Sequence, residues 1–136
     1  MKKVMAFGTF DGLHPGHLNF LKQARRLGDS LVVVVARDAN VRKIKGRFPR
    51  LGEGERLRKV KRAMKRWGYK AVLGGLKDPY VIIRKEKPGV IALGYDQKSF
   101  DRDLKKKFPK IKIARLKPYQ ANIYKSSKLI KRYAKK

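Results

Sequence analysis

The chain has 136 residues, and its 38 Lys and Arg against 10 Asp and Glu leave a formal charge of +28. That length fits one domain, residues 1–136, with room for one sheet covered on both faces and none for a second catalytic module. The absence of cysteine excludes disulfides, thiolate catalysis and Cys-based zinc sites, while a 42% hydrophobic share supports a packed core.

The elements follow in chain order. Val4–Phe7 reads as a first strand ending at Gly8. Gly16–Leu27 carries Leu18, Leu21, Ala24 and Leu27 near helical spacing, with Pro15 suited to the first turn and Gly28 to the stop. Leu31–Ala36 is a β-branched run without polar alternation, which predicts a strand buried on both faces. Ala36–Arg47 then reads as the strand end and a basic loop. Glu53–Trp67 is a helix on Leu57, Val60, Ala63 or Met64, and Trp67. Ala71–Leu73 is a short strand, Tyr80–Glu86 a helix stopped before Pro88, and Val90–Leu93 a strand ending at Gly94. Phe100–Phe108 is a basic helix, Ile111–Ala114 a fifth strand and Ser126–Tyr133 the last helix. This alternation predicts an α/β fold: a doubly wound, Rossmann-like parallel sheet of about five strands with helices on both faces. The apolar start is too short for a secretory signal and no stretch approaches a membrane span, so the expectation is a soluble cytoplasmic protein with no membrane partner.

In such sheets ligands bind beyond the carboxyl ends of the strands. Gly8-Thr9-Phe10-Asp11-Gly12-Leu13-His14-Pro15-Gly16-His17 sits at that end of the first strand and opens a helix. Gly8 and Gly12 permit a tight backbone, and free amides at a helix start receive phosphate oxygens. His14 and His17, the only histidines in the chain, are three apart and can share one side of the first turn. As imidazolium groups they would donate to a triphosphate. Zinc binding and a purely structural role are the competing readings. Zinc is disfavoured by the spacing of three and the lack of a third His or Cys.

The segment resembles the GxFDxxHxGH signature of the cytidylyltransferase-like nucleotidyltransferase superfamily, with Gly8, Phe10, Asp11, His14, Gly16 and His17 at its fixed positions. The resemblance implies that His14 and His17 contact the triphosphate and stabilise the transition state, and that Thr9, Phe10, Pro15 and Gly16 line the nucleotide site. A second signature of the superfamily, S-[ST]-T-x-I-R, is matched in part by Ser126-Ser127-Lys128-Leu129-Ile130-Lys131. It implies phosphate contacts from Ser126 and Ser127. Lys128 replaces Thr, and Lys131 replaces Arg, which removes bidentate phosphate binding. Asp96 falls where relatives touch adenine or ribose, and Lys43 and Lys45 in the basic loop are candidates for phosphate contacts. Tyr119 and Tyr124 are candidates to stack on a flavin or adenine ring, or to pack in the core.

The stretches Val34–Asp38, Lys43–Arg47 and Leu93–Gln97 are most similar to archaeal FAD synthases, though members of that group commonly carry C-terminal cysteines and this chain has none. That resemblance implies transfer of AMP from ATP to the phosphate of FMN, giving FAD and pyrophosphate, with Mg²⁺ bridging the phosphates and held mainly by substrate. Two branches of the superfamily stay open beside it. One is a cytidylyltransferase moving CMP from CTP to glycerol 3-phosphate or a similar phosphorylated alcohol; the other is a pantetheine-phosphate adenylyltransferase. A basic RNA- or polyanion-binding α/β module is the reading from a different class, and it leaves the ordered motif unexplained. Non-specific nucleic-acid binding and a homodimer are the remaining partner expectations, although +28 per chain opposes self-association unless anions screen it.

Overall fold

Five consecutive aliphatic residues of Leu31–Val35 are each less than a twentieth exposed, and they form the middle of the second strand. A strand with no polar face needs cover on both sides, and the chain supplies it. In the computed structural model, which describes residues 2–65, 69–75, 78, 80–94 and 98–117, the elements run β1 (Lys3–Gly8), α1 (Pro15–Arg25), β2 (Ser30–Val35), α2 (Asp38–Lys45), α3 (Glu53–Met64), β3 (Lys70–Leu73), α4 (Val81–Glu86), β4 (Val90–Leu93), α5 (Lys98–Lys107) and β5 (Lys112–Arg115).

The strands form one sheet in the order β3-β2-β1-β4-β5, and every pairing is parallel. Period-two alternation sorts the strand residues into two cores. Val4, Ala6, Leu31, Val33 and Val35 pack with Leu21 and Ala24 of α1 and with Val60 and Met64 of α3. Met5, Val32, Val34, Ile91 and Leu93 pack on the other face with Tyr80, Ile83 of α4 and Leu104 of α5. The sheet is therefore doubly wound, as the sequence predicts. The chain moves outward from β1 through β2 to β3, then returns to place β4 on the other side of β1. The crevice where direction reverses lies at the ends of β1 and β4, at Gly8 and Leu93.

Two predicted elements differ. The basic loop is largely a helix, α2, whose eight residues Asp-Ala-Asn-Val-Arg-Lys-Ile-Lys bury only Val41. One buried residue leaves no apolar period to read. The helix is fixed from its ends instead: the Asp38 N–H donates to Glu53 Oε1 at 2.9 Å, and Gly46 stops it in the left-handed region at φ 77°. The expected Glu53–Trp67 helix is assigned as Glu53–Met64, and Trp67 lies outside the described residues. The predicted Ser126–Tyr133 helix also lies outside them.

Candidate active site

The loop leaving β1 is held in a shape that ordinary residues resist. Phe10 has φ 54°, in the left-handed region, where a side chain is strained. Its ring turns inward, is 3% exposed, and lies across Gly8 so closely that a Cβ there would sit 2.7 Å from the ring. Glycine at position 8 is what lets the aromatic fold back. Gly12, at φ 78°, makes the next turn beside the Arg50 guanidinium. Between them the Asp11 carboxylate accepts from the N–H groups of Arg50 at 2.8 Å and Leu51 at 3.0 Å. Asp11 thus clamps the segment that follows α2 onto the loop.

His14 is the N-cap of α1 and His17 is its third residue. The Gly16 N–H donates to His14 Nδ1 at 3.0 Å, and the His14 N–H donates to His17 Nδ1 at 3.4 Å. The N–H groups of His17 and Leu18 both reach the His14 carbonyl, at 2.9 and 3.2 Å. The two histidines therefore form a reciprocal capping box, a task more often given to Ser and Glu. One sequence expectation falls here. The amides that open α1 are already partnered, and Pro15 at the first position has no N–H, so this helix start is not a set of free phosphate donors.

The rings stack at 3.8 Å between centroids and 23° between planes, and Phe10 meets His17 edge-on at 5.4 Å. Because each Nδ1 is an acceptor, a neutral ring carries its proton on Nε2, which is then a fixed donor. Burial, then the charge of His14, then that of Lys45 lower His17 to about 3; Asp11 and a hydrogen bond with the Gly12 backbone pull weakly the other way. Burial also lowers His14. The expectation of imidazolium groups is thereby corrected. The unliganded pair is neutral at pH 7, because a second charge in a half-buried stack beside a lysine costs more than hydration can return.

Behind the loop stands a residue the sequence reading passed over. Arg56 of α3 is fully buried. Its Nε donates to the Leu51 carbonyl at 2.9 Å, one Nη to the Thr9 carbonyl at 2.8 Å and the other to Asp38 Oδ1 at 2.6 Å. One planar fork so joins the motif loop, the clamped segment and the start of α2. Arg37 extends the frame, donating to the Gly74 carbonyl at 2.8 Å and pairing with Glu53 at 2.9 Å. Across the crevice, Arg115 of β5 donates to the Gly94 carbonyl at 2.6 Å. The only sequence signal for Arg56 was a basic residue beside the apolar Leu57, and this chain is full of those.

The structure thus brings together Thr9, Phe10, His14, Pro15, Gly16, His17 and the charge of Lys45. Lys43 lies exposed on α2 with Lys45. Asp96, Tyr119, Tyr124, Ser126, Ser127 and Lys131 lie outside the described residues.

The cytidylyltransferase-like family model matches residues 5–132, and the chain belongs to that family. A FAD synthase from Aciduliprofundum boonei is 45% identical, over 88% of this chain and 80% of the relative. A FAD synthase from Ferroglobus placidus is 44% identical, over 97% of this chain and 88% of the relative. Among solved structures, one from Thermoplasma volcanium described as a lipopolysaccharide core biosynthesis protein is 40% identical with a TM-score of 0.78, covering 88% of this chain and 99% of that one.

Proposed function

We propose that this chain is a nucleotidyltransferase that moves AMP from ATP to the phosphate of FMN, giving FAD and pyrophosphate. The observation that carries the reaction type is the stacked His14–His17 pair at the switch point of the sheet, with both Nδ1 atoms committed to backbone N–H groups. Such a pair presents its Nε2 edges from a frame already held in place, where a hydrogen bond can pass to a phosphate as charge builds on it. The acceptor is supported by FAD synthase relatives that match almost the whole chain at 45% and 44% identity.

The chemistry asks little of the protein beyond placement. An oxygen of the FMN phosphate attacks the α-phosphorus of ATP. The new P–O bond forms as the bond to the bridging α–β oxygen breaks, and pyrophosphate leaves with that electron pair. A phosphate is already an anion, so no general base is required. His14 and His17 donate to the phosphate oxygens as neutral rings. Thr9 and Phe10 present backbone to the nucleotide, Pro15 and Gly16 shape its wall, and Lys43 and Lys45 meet phosphates. Asp96, Ser126, Ser127 and Lys131 take the nucleotide and phosphate contacts that the family resemblance implies, and Tyr119 and Tyr124 are candidates to stack on a ring. Magnesium arrives on the triphosphate. Bound that way, its oxygens would be supplied mainly by substrate and water.

Pyrophosphate release with ATP or CTP, each offered with FMN or glycerol 3-phosphate, tests the assignment. FAD formed only from ATP and FMN is the expected result, and CTP consumption with glycerol 3-phosphate overturns it.

A further inference from the structure

Large apolar side chains left in solvent are ordinary when scattered, but two here lie four residues apart across one turn. Ile44 is 82% exposed and Phe48 is 59% exposed. They flank Gly46, where α2 stops in the left-handed region and the chain turns back toward the motif loop. The turn is tethered at both ends. On one side Lys45 lies close enough for its charge to act on His17. On the other, the N–H groups of Arg50 and Leu51 are held by Asp11, and the Arg50 guanidinium sits beside Gly12. Phe48 is further held by the Arg42 guanidinium, 5.0 Å from its ring centroid. Burying that apolar pair would give the loop that carries the histidines an apolar flank on the turn clamped to it.

The chemistry of the wall is specific. It is two bare hydrocarbon groups set among Arg42, Lys43, Lys45 and Arg47. A ligand that suits it is flat and apolar at one end and carries an anionic phosphate at the other. Glycerol 3-phosphate has the anion without the ring and would leave both side chains wet. A second copy of this chain would bring another +28 of like charge to a basic face.

We propose that Ile44 and Phe48 seat the isoalloxazine ring of FMN, so that the turn after α2, rather than the histidine motif, selects the acceptor. The inference rests on FMN being the acceptor and extends it to particular residues. Lys45 then lies toward the phosphate end and Ile44 and Phe48 toward the ring end. Arg42 of α2 holds one side of the Phe48 ring.

Phe48→Ser and Ile44→Ser test the seat, each in the full chain. Both positions are exposed, so neither change removes core packing. FMN binding is read directly from flavin fluorescence, and turnover from FAD formation. The expected result is FMN binding and its KM weakened about 10-fold in each variant, the loss typical of a stacked ring, with kcat and the KM for ATP unchanged. Phe48→Trp should restore affinity and quench flavin emission on stacking. Unaltered FMN affinity in Phe48→Ser overturns the seat, and so does a variant that turns a dimer into a monomer while binding FMN as before. The two readings fail separately. A parent chain that makes no FAD yet binds FMN through Phe48 overturns the reaction alone. A chain that makes FAD equally well with and without the two side chains overturns the seat alone.

Discussion

The two ends of the sheet handle their polar groups in opposite ways. At the end where the strands begin, the Lys2 N–H donates to Asp29 at 2.7 Å, the Asp29 N–H returns to the Lys2 carbonyl at 2.8 Å, and Glu86 pairs with Lys3 at 3.2 Å and Lys70 at 3.3 Å. These are backbone closures and partly exposed ion pairs, each worth little. At the end where the strands finish, Phe10 is held at φ 54°, two histidines are kept neutral in a stack, and a fully buried arginine ties Thr9 to residues up to 47 positions away. The first end only has to stay shut. The second must hold a costly shape ready for a ligand, and a buried guanidinium and the Asp11 carboxylate hold it there.

Breaking the second end should hurt function far more than fold. His17→Ala is expected to lower kcat on the order of 100- to 1,000-fold, the usual cost of one preorganised donor to a developing charge. Losing its part in the capping box should cost only about 1 kcal/mol of stability. Steady-state kinetics beside a denaturant melt measure both, and near-parental turnover would remove His17 from the chemistry. Arg56→Met should do the reverse in part. It strands Asp38 and the carbonyls of Thr9 and Leu51, at a cost of about 3 kcal/mol, and loosens the motif loop so that kcat falls too. Arg56→Lys, which keeps the charge without the fork, should regain stability more fully than kcat.

A pH series sharpens the comparison without any substitution. In the unfolded chain His17 takes up a proton near its ordinary value of about 6.5. In the folded chain it refuses one until about 3. The stability that His17 contributes is therefore complete above about pH 6.5 and declines as pH falls through that window. Imidazole NMR should show His17 uncharged at pH 5, and a titration there at its ordinary value would contradict the stacked arrangement. The smallest effect belongs to the first end: Glu86→Gln should cost about 1 kcal/mol or less and leave turnover unchanged.

What the sequence disclosed follows from how local each signal is. The sheet was legible because Leu31–Val35 can be nothing but a doubly covered strand, and the motif was legible because ten consecutive residues carry it. α2 was not, since its stability sits in Glu53 and Gly46 rather than in its own pattern. Arg56 was not, because Arg58 and Arg62 on the same helix look identical until partners 18 and 47 residues away are brought to one of them. The charge state of the histidines is not legible for a related reason: spacing places two rings together, but burial lowers their readiness to ionise.

The outer strands bear on how such a chain stays dispersed. β3 and β5 are only four residues long, and each is entered by a lysine, with Arg115 closing β5. An open parallel sheet offers two unpaired edges to any stray strand. Among the described residues both edge strands are short and like-charged, a composition that sets edge-to-edge growth against charge repulsion. The excess of lysine and arginine thus guards the sheet against its own copies, and that protection weakens wherever concentrated anions mask it.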